Sequence, residues 1–129
     1  MFKPILIAAL FTGTFATLSL AQDADQPAYL VATLDVSDLN AYFASYGGPV
    51  FPMLAEAGAE VLVGTPTVNT LEGDYGATWT AIVRFPSMDA LDAWYNSAEY
   101  QAIAPMRRDL SDSETSVLLA APGFVPPGQ

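Results

Sequence analysis

Trp79, Trp94, Tyr95, Tyr100 and Arg107 are the residues best suited by type to hold a small molecule. The aromatic side chains could wall a pocket for a flat apolar ligand, and Arg107 could clamp an anionic group at its mouth. Core packing asks for the same aromatic residues, and an inward arginine can equally be half of a structural ion pair. The sequence leaves both readings open. Absent residue types narrow the remaining chemistry. The chain has no cysteine and no histidine. A Ser-His-Asp or Cys-His nucleophile pair therefore cannot be built, nor can a His-ligated zinc, haem or copper site. No metal and no cofactor is expected. Asp89, Asp92 and Glu99 could form a carboxylate cluster, but first-turn positions in helices explain them more simply. Glu72, Asp74 and Tyr75 lack the spacing of a calcium loop and read as a turn.

The elements that must position these residues centre on the run from Phe85 to Gln101. Phe85 ends an apolar strand and Pro86 cannot continue a ladder. Ser87 is a good N-cap for a helix whose apolar face carries Met88, Leu91 and Tyr95, with Trp94 beside it. Ser97 repeats the cap for a second piece, in which Pro105 should introduce a kink or a restart. Tyr100, Ile103, Ala104 and Arg107 share one face of that piece, which should look toward the sheet. An acid such as Asp35, Glu60 or Glu72 is the expected partner of Arg107. Arg108 should be solvated, beside Asp112.

Taken from the start, Ala28 to Val36 reads as strand one. A helix begins near Leu39 with the aromatic face Tyr42, Phe43 and Tyr46. Gly47-Gly48-Pro49 should interrupt it before a fresh segment through Leu54 to Ala57, ended by Gly58 in a left-handed cap. Glu60 to Thr65 reads as strand two, with Pro66 as its end or a bulge and Thr67 to Leu71 as a resumption. Thr78 to Phe85 alternates strictly and forms strand three. Thr115 to Ala120 forms strand four, and residues 121–129 a loose tail rich in proline and glycine. The order β-α-β-β-α-β predicts an α+β, ferredoxin-like fold with an antiparallel sheet and both helices on one face. Ile82 and Trp79 point to opposite faces of strand three, so both faces of the sheet need cover. A homodimer through the face the helices leave bare is the expected solution.

Phe85-Pro86-Ser87, Ala93-Trp94-Tyr95, Ser97-Ala98-Glu99-Tyr100 and Arg107, with Leu71-Glu72-Gly73-Asp74 upstream, resemble the signature of a bacterial family, domain of unknown function thirteen-thirty (DUF1330). The resemblance covers roughly Ala28 to Ala120 and implies the dimeric α+β barrel superfamily, whose other families include cofactor-free monooxygenases, lactone isomerases and dye- or haem-handling proteins. The chain departs from the family pattern where that pattern has His-Gly-Gly, for it has Ala57-Gly58-Ala59. It also has Gly64-Thr65 and Ala77-Thr78 where the pattern has arginines.

Residues 1–21 have the grammar of a cleaved secretory signal: Lys3, an apolar run, and small residues at Ser19 and Ala21. Export to the periplasm or medium is the expectation, with cleavage after Ala21, a linker over 22–27 and one domain over 28–120. Lys3 lies in the leader, so three arginines then face all 14 acidic residues. Nucleic acid and anionic membranes are poor partners for that surface, and no stable membrane insertion is expected after cleavage. Two functions remain. One is a homodimeric module that binds a small apolar or aromatic ligand or acts structurally. The other is a cofactor-independent monooxygenase- or isomerase-like enzyme with Tyr95, Tyr100 and Arg107 as its polar groups. The missing His, Cys and family arginines favour the module.

Overall fold

The computed structural model describes residues 26–128. The leader, its cleavage site at Ala21 and most of the 22–27 linker lie outside them. Strands β1 (Ala28–Leu34), β2 (Glu60–Thr65), β3 (Trp79–Phe85) and β4 (Val117–Pro122) form one antiparallel sheet in the order β2-β3-β1-β4. The helices α1 (Leu39–Tyr42), α2 (Gly48–Glu56), α3 (Met88–Tyr95) and α4 (Ala98–Leu110) complete the ferredoxin-like α+β fold. Among the described residues no helix is long and apolar enough to cross a membrane.

Strand alternation decides which side chains meet the helices. In the β1–β3 register, Leu30 faces Val83 and Ala28 faces Phe85, and all four are buried in the core. The other face pairs Val31 with Ile82 and with Leu119. Ser87 and Ser97 cap α3 and α4 as expected, their hydroxyls accepting from Ala90 N and Tyr100 N. Gly58 takes φ +72 after α2, the left-handed conformation that ends a helix.

Four expectations are corrected. Gly47-Gly48-Pro49 does not break the helix: residues from Leu39 to Glu56 stay helical, joined by a π-helical turn over Phe43–Gly47. Pro49 has no N–H to give to an α-type bond, and a wider turn accommodates the lost donor. Both glycines keep right-handed helical dihedrals; what Gly47 supplies is room, since a Cβ there would come within 2.5 Å of the Phe43 ring. Pro105 does not restart the helix: it sits inside α4, which runs unbroken from Ala98 to Leu110. Thr67 to Leu71 does not resume β2. Instead Thr65 Oγ1 accepts from Thr67 N at 3.1 Å and turns the chain, while the irregularity in β2 falls between Val61 and Val63. Finally, β4 extends to Pro122, opposite Ala28. Proline is tolerated there because β4 is an edge strand.

Ser97 does more than cap. Its hydroxyl also donates to Trp94 O at 2.6 Å, tying the end of α3 to the start of α4. Ser97→Ala is expected to cost about 1–2 kcal/mol and so lower Tm by roughly 5–10 °C, with Ser87→Ala costing less. Thermal melts followed by circular dichroism measure both, and equal small losses would show that the link between α3 and α4 carries no stability.

Candidate functional site

The aromatic residues form one connected layer between helices and sheet. Tyr100 on α4 is fully buried and stacks on Trp94 with ring centroids 4.1 Å apart, with Tyr95 at 5.4 Å on another side. Its hydroxyl shares a 3.0 Å hydrogen bond with the hydroxyl of Tyr46 in the π turn. Tyr46 lies 5.2 Å from Tyr42, and Tyr42 lies 6.4 Å from Trp79. Phe43 meets Trp79 edge to face at 4.8 Å. Burial drives the Tyr42 and Tyr46 hydroxyls well above the ordinary phenol range, so both are neutral hydrogen-bonding groups rather than bases.

In front of this layer lies a cavity of about 60 Å³, open on one side, between the π turn and α2 and the strands β2 and β3. Tyr42, Tyr46, Trp79 and Trp94 supply its aromatic walls, and Ala81 and Val83 its floor. Half-exposed Phe51 and more than one-third exposed Val61 also line it. Such a space has the volume of about two waters, so a small ring would enter it in part and stay seated in its open mouth.

Trp79 and Trp94 of the expected site residues therefore line the cavity. Tyr95, Tyr100 and Arg107 do not; they stand in the layer behind it. Tyr42, Phe43 and Tyr46 complete the site without having been singled out for it. Their spacing ahead of a Gly-Gly pair was the available signal, since it puts aromatic rings over a stretch without side chains.

Arg107 faces inward with Tyr100 and Ala104, as expected, and is 8% exposed, while Arg108 is exposed. None of the three acids expected as its partner contributes to its surroundings. Asp35 accepts from Thr115 Oγ1, Glu60 is exposed opposite Arg84, and Glu72 is exposed in the 66–78 loop. Asp112 likewise does not serve Arg108; it accepts from the backbone N–H groups of Glu114 and Thr115. The Arg107 guanidinium instead lies 6.0 Å from the Tyr46 ring centroid, and its Nε finds no hydrogen-bond partner among the described residues. Burial opposes its charge, but the oxygens of Tyr100, Tyr46 and Tyr95 outweigh that and hold its pKa above the usual value. Phenols are dipoles at neutral pH rather than full counter-charges, so the cation is met by the Tyr100 hydroxyl and a ring face but by no anion among the described residues. Trp94 Nε1 is also buried without a partner among the described residues. Among the described residues no set of three acidic groups comes together to hold a metal ion. Asp89 and Glu99 occupy the helix first turns.

A buried charge without a full partner should cost more than an apolar side chain of similar length. Arg107→Met is expected to leave Tm within about 2 °C or raise it, whereas Arg107→Ala should lower it by several degrees through lost packing. Calorimetric melts of both variants check this, and a large loss in the Met variant would reveal a counter-charge on Arg107.

Residues 27–121 match the family model described as Domain of unknown function (DUF1330). No curated protein matches the chain in sequence. Among solved structures, a protein of unknown function from Rhodopseudomonas palustris is 18% identical with TM-score 0.60, over 79% of this chain and 85% of its own. A dimeric ferredoxin-like protein of unknown function from Jannaschia sp. gives TM-score 0.61 at 13% identity, over 74% and 97%. A candidate antibiotic biosynthesis monooxygenase from Caulobacter crescentus gives 0.51 at 18%, over 78% and 92%. At these identities the likeness is one of fold.

Proposed function

The chain belongs to the DUF1330 family, and on that premise we propose that it is a small exported homodimeric module that takes an apolar or aromatic ligand into the cavity behind Phe51 and Val61. The observation that carries this reading is the cavity itself. It is apolar, walled by aromatic rings and open to solvent, in a layer whose other aromatic side chains are closely packed. Unfilled apolar walls lack dispersion partners, and a small ring would supply them.

The enzymatic reading asks for more. Cofactor-independent oxygenase or isomerase chemistry calls for a proton acceptor that titrates near neutrality. Burial moves Tyr42 and Tyr46 in the opposite direction. The Caulobacter protein shares the fold alone, and fold carries no reaction.

The chain contains two tryptophans, Trp79 and Trp94, and both line the cavity. Intrinsic fluorescence is therefore a direct reporter of occupancy. A panel of small aromatic compounds is expected to quench or shift it saturably. Ala81→Leu, which fills the floor, should weaken that response at least about tenfold, a loss near 1.4 kcal/mol, with Tm retained. A response unchanged by Ala81→Leu would place binding elsewhere. Turnover of a quinol or enol-lactone panel would replace binding with catalysis.

Assembly has its own support. The sheet face away from the helices carries Tyr29, Val31, Ile82, Val117 and Leu119, and Val117 and Leu119 are nearly half exposed. Soluble monomers rarely leave such a face uncovered. Protein recovered from the producing cell should have the mass of residues 22–129, and light scattering should give twice that mass. Ile82→Glu should give monomer or loss of solubility. A monomer at micromolar concentration, or a species retaining residues 1–21 in the membrane fraction, would contradict assembly or export respectively.

A further inference from the structure

We propose that the ligand of this cavity is an aromatic acid, a small ring bearing a carboxylate, with Arg107 as the seat of the carboxylate. This inference rests on the cavity reading and adds to it the charge class of the ligand. Its starting point is a cation that the fold meets with tyrosines and with no carboxylate of the described residues. Arg107 is more than nine-tenths buried, its Nε has no partner among the described residues, and the oxygens around it belong to tyrosines. A guanidinium taken out of water without an anion is expensive. A purely structural position on α4 could be filled by an apolar residue at lower cost.

Charge supply makes the missing partner more telling. The chain carries 14 acidic residues against 4 basic ones, so acids are plentiful, yet no carboxylate of the described residues contributes to the environment of Arg107. The acidic surface as a whole repels anions at long range. Selection of an anion must then be local, in a desolvated place where a guanidinium acts strongly and can grip a carboxylate through two N–H groups.

Tyr46 joins this seat to the cavity. Its side chain lines the cavity, its ring lies 6.0 Å from the guanidinium, and its hydroxyl is bonded to that of Tyr100. A ring held against Trp79 and Trp94 would send its carboxylate past the edge of Tyr46 toward Arg107. The Tyr46–Tyr100 hydroxyl pair uses one O–H in its own bond and leaves the other as one further donor to the same oxygens.

Phenylacetate and phenylacetamide make the test, because they match in size and differ in charge. Each is titrated against the full chain at one fixed salt concentration, with tryptophan fluorescence as the readout. Phenylacetate is expected to bind at least about tenfold more tightly than the amide. Arg107→Gln should erase that preference, leaving acid and amide alike, and Arg107→Lys should restore part of it. If the Gln variant does not fold, the wild-type comparison and the Lys variant still decide. Equal affinity for the two probes in the wild-type chain overturns the inference and leaves the cavity reading standing. So does a preference for the acid that survives Arg107→Gln. No response to either probe removes both.

Discussion

Tyr100 is completely buried and carries a hydroxyl, and that combination constrains the whole helical layer. A hydroxyl enclosed without a partner costs a few kcal/mol, so some other element must deliver one. Tyr46 does so from 54 residues earlier in the chain. To reach it, the first helical segment passes through a π turn, and Gly47 leaves the Phe43 ring room beside that turn. At the other end, Ser97 accepts from the Tyr100 N–H and holds the Trp94 carbonyl. Tyr100 and Trp94 are thereby locked at a stacking distance. Capping, helix irregularity and core packing converge on one hydrogen bond.

The same layer contains two features that oppose stability. One is the apolar space between the π turn, α2 and the β2–β3 strands. The other is the buried guanidinium of Arg107, which tyrosines meet and no carboxylate of the described residues does. They meet at Tyr46, which touches both. Elsewhere the core obeys the usual rules: apolar strand faces inward, serine caps in place, a glycine at the left-handed helix end. Local departures from those rules concentrate where a protein needs something other than stability. This coincidence, rather than the fold, is what directs attention to the site. The fold is shared at 13–18% identity with proteins of unknown function and with a candidate monooxygenase, and sites, not folds, determine chemistry.

The sheet extends the argument outward. β3 has apolar residues on both faces, Val83 and Phe85 toward the helices and Ile82 away from them. One layer of helices covers only one face. The edge strands are treated differently: β4 carries Pro122, which cannot donate to a further strand, whereas β2 is irregular near Leu62. Both devices discourage edge-to-edge growth, so the bare face is the apolar surface of the sheet still open to a second copy.

Much of this was readable from local chemistry. Periodicity gave the order of elements, because a strict alternation such as Thr78 to Phe85 has one physical meaning. Ser87, Ser97 and Gly58 were legible as helix ends because their side chains, or lack of one, act within a few residues. The inward position of Arg107 followed from its spacing to Tyr100 and Ala104. What failed were statements about long-range company. Gly-Gly-Pro reads as a break when judged alone; the packing of Phe43 and Tyr46 against distant Trp79 and Tyr100 keeps the helix going. An acid for Arg107 was expected because buried charges are usually paired, but partner choice depends on which carboxylates the chain brings near, and it brings none of those described. The cavity lay beyond reach for the same reason: empty space is a property of how elements meet. Sequence alone therefore determined the elements, their faces and the exclusion of His and Cys chemistry. The tertiary structure decided which aromatic rings line a cavity and that a buried arginine stands behind it without a carboxylate from the described residues, because both depend on contacts between residues far apart in the chain.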